Sequence, residues 1–164
     1  MGPATHYYIH REPFAMYRGS RLPGLQLAWE SWGELNEDRS NAVLLFTGLS
    51  PGAHASSSGP DPEPGWWEAM IGPGRPIDTD RLFVLCVNSL GSCKGSTGPA
   101  SINPETGQPW RLKFPELTID DIARATRLVV SHLGIERLHA VVGHRHRGGV
   151  RRVAEERAED HRGA

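Results

Sequence analysis

The chain has 164 residues, 38% hydrophobic and 23% charged, with a formal net charge of −1. That length allows one domain with a real core, and the balanced charge gives no global case for nucleic acid or a strongly acidic partner. Cys86 and Cys93 make neither a disulfide framework nor a zinc pattern, so reduced thiols in a cytoplasmic protein are expected; there is no signal-peptide pattern, no apolar run near the roughly 20 residues that cross a bilayer, and no internal repeat.

The first third reads as a strand meander. His6 to Tyr17 mixes aromatic and polar residues around Pro13, and Arg18-Gly19-Ser20 is a turn signal. Leu25, Leu27 and Trp29 alternate with Gln26, Ala28 and Glu30, which predicts a half-buried strand. Asn36 to Ser40 is a polar loop. Asn41 to Phe46 is continuously apolar after its first residue, as expected for a strand covered on both faces. It runs into Thr47-Gly48-Leu49-Ser50-Pro51-Gly52, small residues at the carboxyl end of a strand, where α/β sheets bind ligands. A backbone N–H there could face a developing oxyanion, although an ordinary turn is the simpler reading of these residues alone.

Ala55 to Pro64 predicts an exposed loop, and Gly65 to Gly72 a short helical turn whose Trp66 and Trp67 fill an apolar contact. Gly72-Pro73-Gly74-Arg75-Pro76 breaks the chain before a second apolar strand, Leu82 to Val87. The loop Asn88 to Ser101 is glycine-rich, but Lys94 precedes Gly95 and the phosphate-loop spacing fails, so a nucleotide-triphosphate site is rejected. Arg75 and Lys94 could attract an anion; solvated loop charges are the expected role. Thr118 to Asp121 starts a helix with a short capping box. Ile122, Thr126, Val129 and Leu133 give its predicted buried face, and Gly134 its left-handed end. Ile135 to Val142 is the third apolar strand, so the order strand, crossover helix, strand predicts a parallel sheet.

That strand ends in Gly143-His144-Arg145-His146-Arg147-Gly148-Gly149. The pattern G-x-S-x-G at this point in a sheet holds a nucleophilic serine on a tight turn. Here the glycines are nearly right and the serine is absent.

From Leu25 to Gly143 the chain resembles the homoserine O-acyltransferase family, which has an α/β-hydrolase fold. The strings that carry the likeness are Pro64-Gly65-Trp66-Trp67-Glu68, Gly72 to Arg81, Asn88 to Ser101, and Leu133-Gly134-Ile135-Glu136-Arg137-Leu138. Thr47 to His54 looks closest to the succinyl-transferring branch, with the acetyl-transferring branch left open. The resemblance implies the amino-terminal part of such a fold, an antiparallel meander leading into a parallel sheet with a crossover helix. It implies ping-pong transfer of an acyl group from acyl-CoA, as co-substrate, to the hydroxyl of homoserine or serine, in methionine or cysteine biosynthesis. It further implies no bound cofactor or metal, small-molecule partners with neither nucleic acid nor membrane, and homodimers among full-length members. Leu49 would supply an oxyanion-hole N–H, and Leu49, Ser50, Pro51, Gly52, Ala53 and His54 would lie along the substrate. Read alone, His54 is a loop histidine rather than a catalytic one.

The departure falls at the reactive corner. Arg145 occupies the nucleophile position, and a guanidinium is no nucleophile. Arg147 stands where the elbow needs glycine. In this fold the triad order is Ser, Asp, His, so the fragment is expected to be inactive alone. The alternative is a non-catalytic remnant or binding module that keeps an acyl-CoA or partner surface. The expected division is 1–143 as fold and 144–164 as a divergent charged tail. In that tail His144, His146 and His161 are too irregularly spaced for a metal site, and the arginines from Arg145 to Arg152 could hold phosphate. The preferred hypothesis is loss of the reading frame after Gly143, motivated by the abrupt change in composition; absence of a G-x-S-x-G-G continuation in the other two frames of the coding DNA would count against it. An open apolar sheet edge, and with it aggregation, is also expected.

Overall fold

The computed structural model describes residues 4–48 and 51–143. The predicted tail, 144–164, lies outside them, as do Leu49, Ser50 and Arg145. Nine strands and one α-helix follow in chain order among the described residues: β1 (His6–His10), β2 (Phe14–Ala15), β3 (Arg21–Leu22), β4 (Leu25–Trp32), β5 (Ala42–Phe46), β6 (Ile71–Gly72), β7 (Ile77–Asp78), β8 (Phe83–Val87), α1 (Ile119–His132) and β9 (Ala140–Gly143). The main sheet has the order β1-β4-β8-β5-β9; β2 with β3 and β6 with β7 form two small ribbons. The pairs β1–β4 and β4–β8 are antiparallel, and β5 pairs in parallel with both β8 and β9. The meander leading into a parallel sheet is therefore present as the sequence predicts.

The central strands are short and apolar because both of their faces are covered. Leu44 and Leu85 join Leu27, Ala125, Val129 and Val130 on the helix side. Val43, Leu45, Val84 and Cys86 meet Ala55, Ile71 and Ile77 on the other side, with Trp66, Trp67 and Met70 against them. Fully burying a side chain such as Leu45 or Leu85 stabilises by about 1.5–3 kcal/mol.

Three expectations need correction. β4 is buried on both faces, with Ala28, Glu30 and Trp32 as inaccessible as Leu25 and Leu27, because two loops cover the second face: Gly95 lies against Gln26 and Ala28, and the 54–57 segment against Glu30 and Trp32. The buried face of α1 runs through Asp121, Ala125, Thr126, Val129 and Val130; Ile122 and Leu133 are only half-buried. The small Ala125 is what allows that line of residues to approach the sheet. The third parallel strand is only Ala140–Gly143, and residues 135–139 form its approach, with Ile135 alone fully inserted in the core. β9 has β5 as its one partner among the described residues, and its Ala140, Val141 and Val142 are half-buried.

The caps follow the sequence closely. Thr118 accepts from the Asp121 N–H, and the Asp121 carboxylate accepts from the Thr118 N–H at 2.9 Å and from its hydroxyl at 2.8 Å, closing a capping box. Gly134, at φ +67°, ends the helix in the left-handed region.

Candidate active site

The parallel register decides what meets at the carboxyl edge of the sheet. Phe46 of β5 pairs with Val87 on one side and with Gly143 on the other. The loop after β5, the loop after β8 and the elbow glycine therefore start from one row. Above that row the Thr47 and Ser89 hydroxyls lie 3.0 Å apart and tie the first two loops together.

The loop after β8 is not the unsupported segment its length suggests. The Asn88 N–H donates to the Ala28 carbonyl and the Thr97 N–H to the Gln26 carbonyl, both at 2.8 Å, so the loop continues pairing along β4. The Ser96 hydroxyl donates to the Asn88 carbonyl at 2.7 Å and accepts from the Ala28 N–H at 3.1 Å. Asn88, itself fully buried, donates its side-chain amide to the Lys94 carbonyl at 2.6 Å.

The loop after β5 is held differently, through two carboxylates. Glu68 accepts from the Ser57 N–H at 2.6 Å, the Ser57 hydroxyl at 2.8 Å, the Gly65 N–H at 3.1 Å and Arg75 Nη1 at 2.9 Å. These donors hold its carboxyl far below the usual carboxylate range, the Ser57 N–H most of all. Arg75 also donates to the Glu68 and Ile71 carbonyls, so it is an internal fastener rather than a free cation. Gly65 is obligatory here: a Cβ would lie 2.1 Å from the Ala55 carbonyl carbon.

The second carboxylate is Glu30. Its side chain is 3% exposed, and it accepts from the Thr5 hydroxyl at 2.7 Å through Oε1 and meets His54 Nδ1 at 2.9 Å through Oε2. The other ring nitrogen, His54 Nε2, lies 2.8 Å from the Glu63 carbonyl. Asp61 Oδ2 stands 3.7 Å from Nδ1. Burial pushes the His54 pKa down, but the hydrogen bonds to Glu30 and Glu63 and the charges of Glu30 and Asp61 outweigh it, and the net shift is upward. With both nitrogens engaged, His54 is not a free base. Cys86, whose backbone pairs with Glu30, has its thiol pushed far up by burial and by the Glu30 charge, so it is no nucleophile.

Pro51, Gly52, Ala53 and His54 are brought together. They line one side of a cleft of about 430 Å³ whose other walls include Tyr7, Glu30, Trp66 and Lys94. Trp66 donates its indole N–H to the Gly52 carbonyl at 3.0 Å and stacks on Trp67 with ring centroids 5.6 Å apart. Lys94 packs its stem near Gly52 and is exposed. The cleft lies over β1 and β4, which stand four and three places from β9 in the sheet. Leu49 and Ser50, between Gly48 and Pro51, lie outside the described residues, so their predicted roles carry no geometry here.

Sequence reasoning missed Glu30 and Glu68. A signal for Glu30 was present: Ala28 and Trp32 share its face of β4, and a carboxylate between them needs a partner. Glu68 had a weaker one, the hydroxyl run Ser56-Ser57-Ser58 a few residues before Gly65.

No family model matches the chain. A serine O-succinyltransferase of Litchfieldella anticariensis is 63% identical over 131 residues, covering 80% of this chain and 36% of that protein. A serine O-succinyltransferase of Stenotrophomonas maltophilia is 60% identical over 141 residues, 86% of this chain and 38% of the relative. An L-serine/homoserine O-acetyltransferase of Streptomyces lavendulae matches over the same shares, also at 60%. The chain thus spans little more than a third of the length of these relatives. Among solved structures, homoserine O-acetyltransferase from Bacillus anthracis superposes with a TM-score of 0.79 at 36% identity, over 87% of this chain and 40% of that one. An esterase superposes with a TM-score of 0.76, also at 36% identity, over 85% and 40%. With the strand order, the converging loops and these likenesses together, the chain carries part of an α/β-hydrolase fold and is similar, over most of its own length, to the serine and homoserine O-acyltransferases.

Proposed function

We propose that this chain is the scaffold of an acyl-CoA-dependent O-acyltransferase acting on L-serine or L-homoserine, and that it does not turn over alone. The observation that carries the reading is about 60% identity, over 131–141 residues, to serine O-succinyltransferases and to an L-serine/homoserine O-acetyltransferase. The row Val87, Phe46 and Gly143 supports it, because it sets an elbow strand beside the loop that would stabilise an oxyanion.

In this reading a nucleophile after Gly143 attacks the thioester of succinyl- or acetyl-CoA, and the CoA thiolate leaves. The amino-acid hydroxyl then takes the acyl group from the acyl-enzyme. The Leu49 N–H donates to the tetrahedral oxyanion, Ser50 borders the acyl group, and Pro51 to His54 shape the adjoining cleft. No cofactor takes part. Arg145 holds the nucleophile position and cannot attack. Methionine or cysteine biosynthesis, the cytoplasm and a homodimer of the whole protein follow from the same reading. No helix among the described residues is long and apolar enough to cross a membrane.

Two experiments test this. Incubation with succinyl-CoA and serine or homoserine is expected to give neither CoA release nor an acyl adduct by intact-mass spectrometry; a covalent adduct overturns the inactivity. Fusion of residues 1–143 to the remaining part of the Stenotrophomonas maltophilia enzyme is expected to restore transfer. A folded but inactive fusion favours the binding-module alternative.

A further inference from the structure

His54 has a hydrogen-bonding pattern that only one proton inventory satisfies. Nε2 faces the Glu63 carbonyl, which can only accept, so Nε2 carries a hydrogen. Nδ1 faces Oε2 of Glu30, and an ionised carboxylate also only accepts. Oε1 of the same carboxylate already accepts from Thr5. One further proton must therefore lie between Glu30 and His54, and with Glu30 ionised it belongs to the ring.

The pair joins two parts of the molecule that are far apart in sequence. Glu30 is on β4, buried beside the sheet, while His54 is on the loop that leaves β5. That loop touches the rest of the cleft through Trp66 on the Gly52 carbonyl and Lys94 beside Gly52. Its following segment returns to His54 and Ala55, where the Trp66 and Trp67 N–H groups donate to their carbonyls.

We propose that His54 is a positioning residue: as an imidazolium clasped between Glu30 and the Glu63 carbonyl, it fixes the 51–66 loop against β4, so that the placement of the substrate-side loop depends on one proton. The link from loop placement to acyl transfer rests on the function proposed above; the clasp itself does not.

The charged groups around the ring set the direction. Glu30 from β4 and Asp61 from the loop favour the imidazolium. Lys94, from the loop after β8, opposes it, but it is exposed and screened by water. Tyr7 of β1 and Thr5 contribute hydroxyls to the same cleft. Because the folded pKa is raised, the clasp is complete below about pH 6.5, the ordinary imidazole value, and it is lost as pH rises through the folded value. Loss of the proton leaves the ring one hydrogen for two acceptors: Nδ1 keeps it toward Glu30, and the Nε2 lone pair is left facing the Glu63 carbonyl.

The test uses the intact chain and two readouts across pH 5.5–9. Nitrogen-15 NMR of the imidazole rings is expected to show His54 still protonated on both nitrogens at a pH where an unrestrained ring has become neutral. Amide exchange at Trp66 and Trp67 is expected to quicken at least tenfold, beyond its intrinsic pH dependence, above the His54 midpoint. Glu30→Gln is expected to lower that midpoint. A His54 that loses its proton no later than an unrestrained ring overturns the proposal, and so does loop protection that ignores the His54 midpoint. The wild-type titration stands even where the variant does not fold. It is also independent of the fusion assay: an inactive fusion with an intact titration sinks the acyltransferase reading alone, and the reverse result sinks the clasp alone.

Discussion

The two faces of the sheet are covered by different means. On one face α1 satisfies most of its own backbone and takes outside help at its ends: the buried Asp121 carboxylate closes the capping box and also accepts from the Tyr17 N–H at 2.7 Å, and Arg39 donates to the Leu133 carbonyl. On the other face an irregular segment, 53–77, lies over Val43, Leu45, Val84 and Cys86. Its backbone groups pair partly with one another, as Trp67 does with Ala55, and partly through side chains, with Glu68 gathering Ser57, Gly65 and Arg75. Both coverings are thus fastened by a carboxylate facing N–H groups. They differ in redundancy: a helix losing its cap keeps a repeating ladder of hydrogen bonds, whereas a loop losing its hub keeps only scattered single bonds.

Truncating the core is expected to act most strongly and to show whether the two faces melt together. Leu85→Ala on the helix face and Leu45→Ala on the loop face should each lower unfolding stability by about 2–5 kcal/mol. Denaturant titrations followed by tryptophan fluorescence and by circular dichroism should coincide for both variants. Separate transitions would show that helix and loop cover the sheet as independent units.

Gly65→Ala comes next, because its new Cβ meets the Ala55 backbone. Overpacking of this kind costs about 3 kcal/mol, and the loss should appear on the loop face. A variant with unchanged melting temperature would contradict the observed approach of the two backbone segments.

Asp121→Asn should cost about 2 kcal/mol through the weakened cap. It should also change the acid response. Burial acts to raise the Asp121 pKa, but the Thr118 and Tyr17 donors and Arg124 lower it overall. A depressed carboxylate stabilises above its unfolded value, about 3.9, and that stability is lost as pH falls through the folded value. The variant should therefore lose less stability than wild type on acidification; an identical acid limb would remove Asp121 from this role.

Glu68→Gln is expected to be the smallest in global terms and the most local. Limited proteolysis should quicken within 56–65 while the unfolding midpoint stays close to wild type. Unchanged cleavage would mean that the His54 contacts and the Trp32 indole on the Ser56 and Ser57 carbonyls hold the loop without Glu68.

Much of the fold could be read directly from the residues. Continuous apolar runs located β5 and β8, because a strand buried on both faces has no polar alternate. Thr118 with Asp121, and Gly134, marked both ends of α1, because caps are local chemistry. The missing serine after Gly143 needed only the order of the letters. What required the folded chain were relations between distant positions. Nothing near Glu30 in sequence announces its partner, His54, and Glu68 became a hub only when Gly65 allowed two backbone segments to touch. The burial of both faces of β4 was likewise set by loops arriving from elsewhere. Periodicity and capping act over a few residues and are written locally; the pairing of a buried carboxylate is settled only when another part of the chain closes over it.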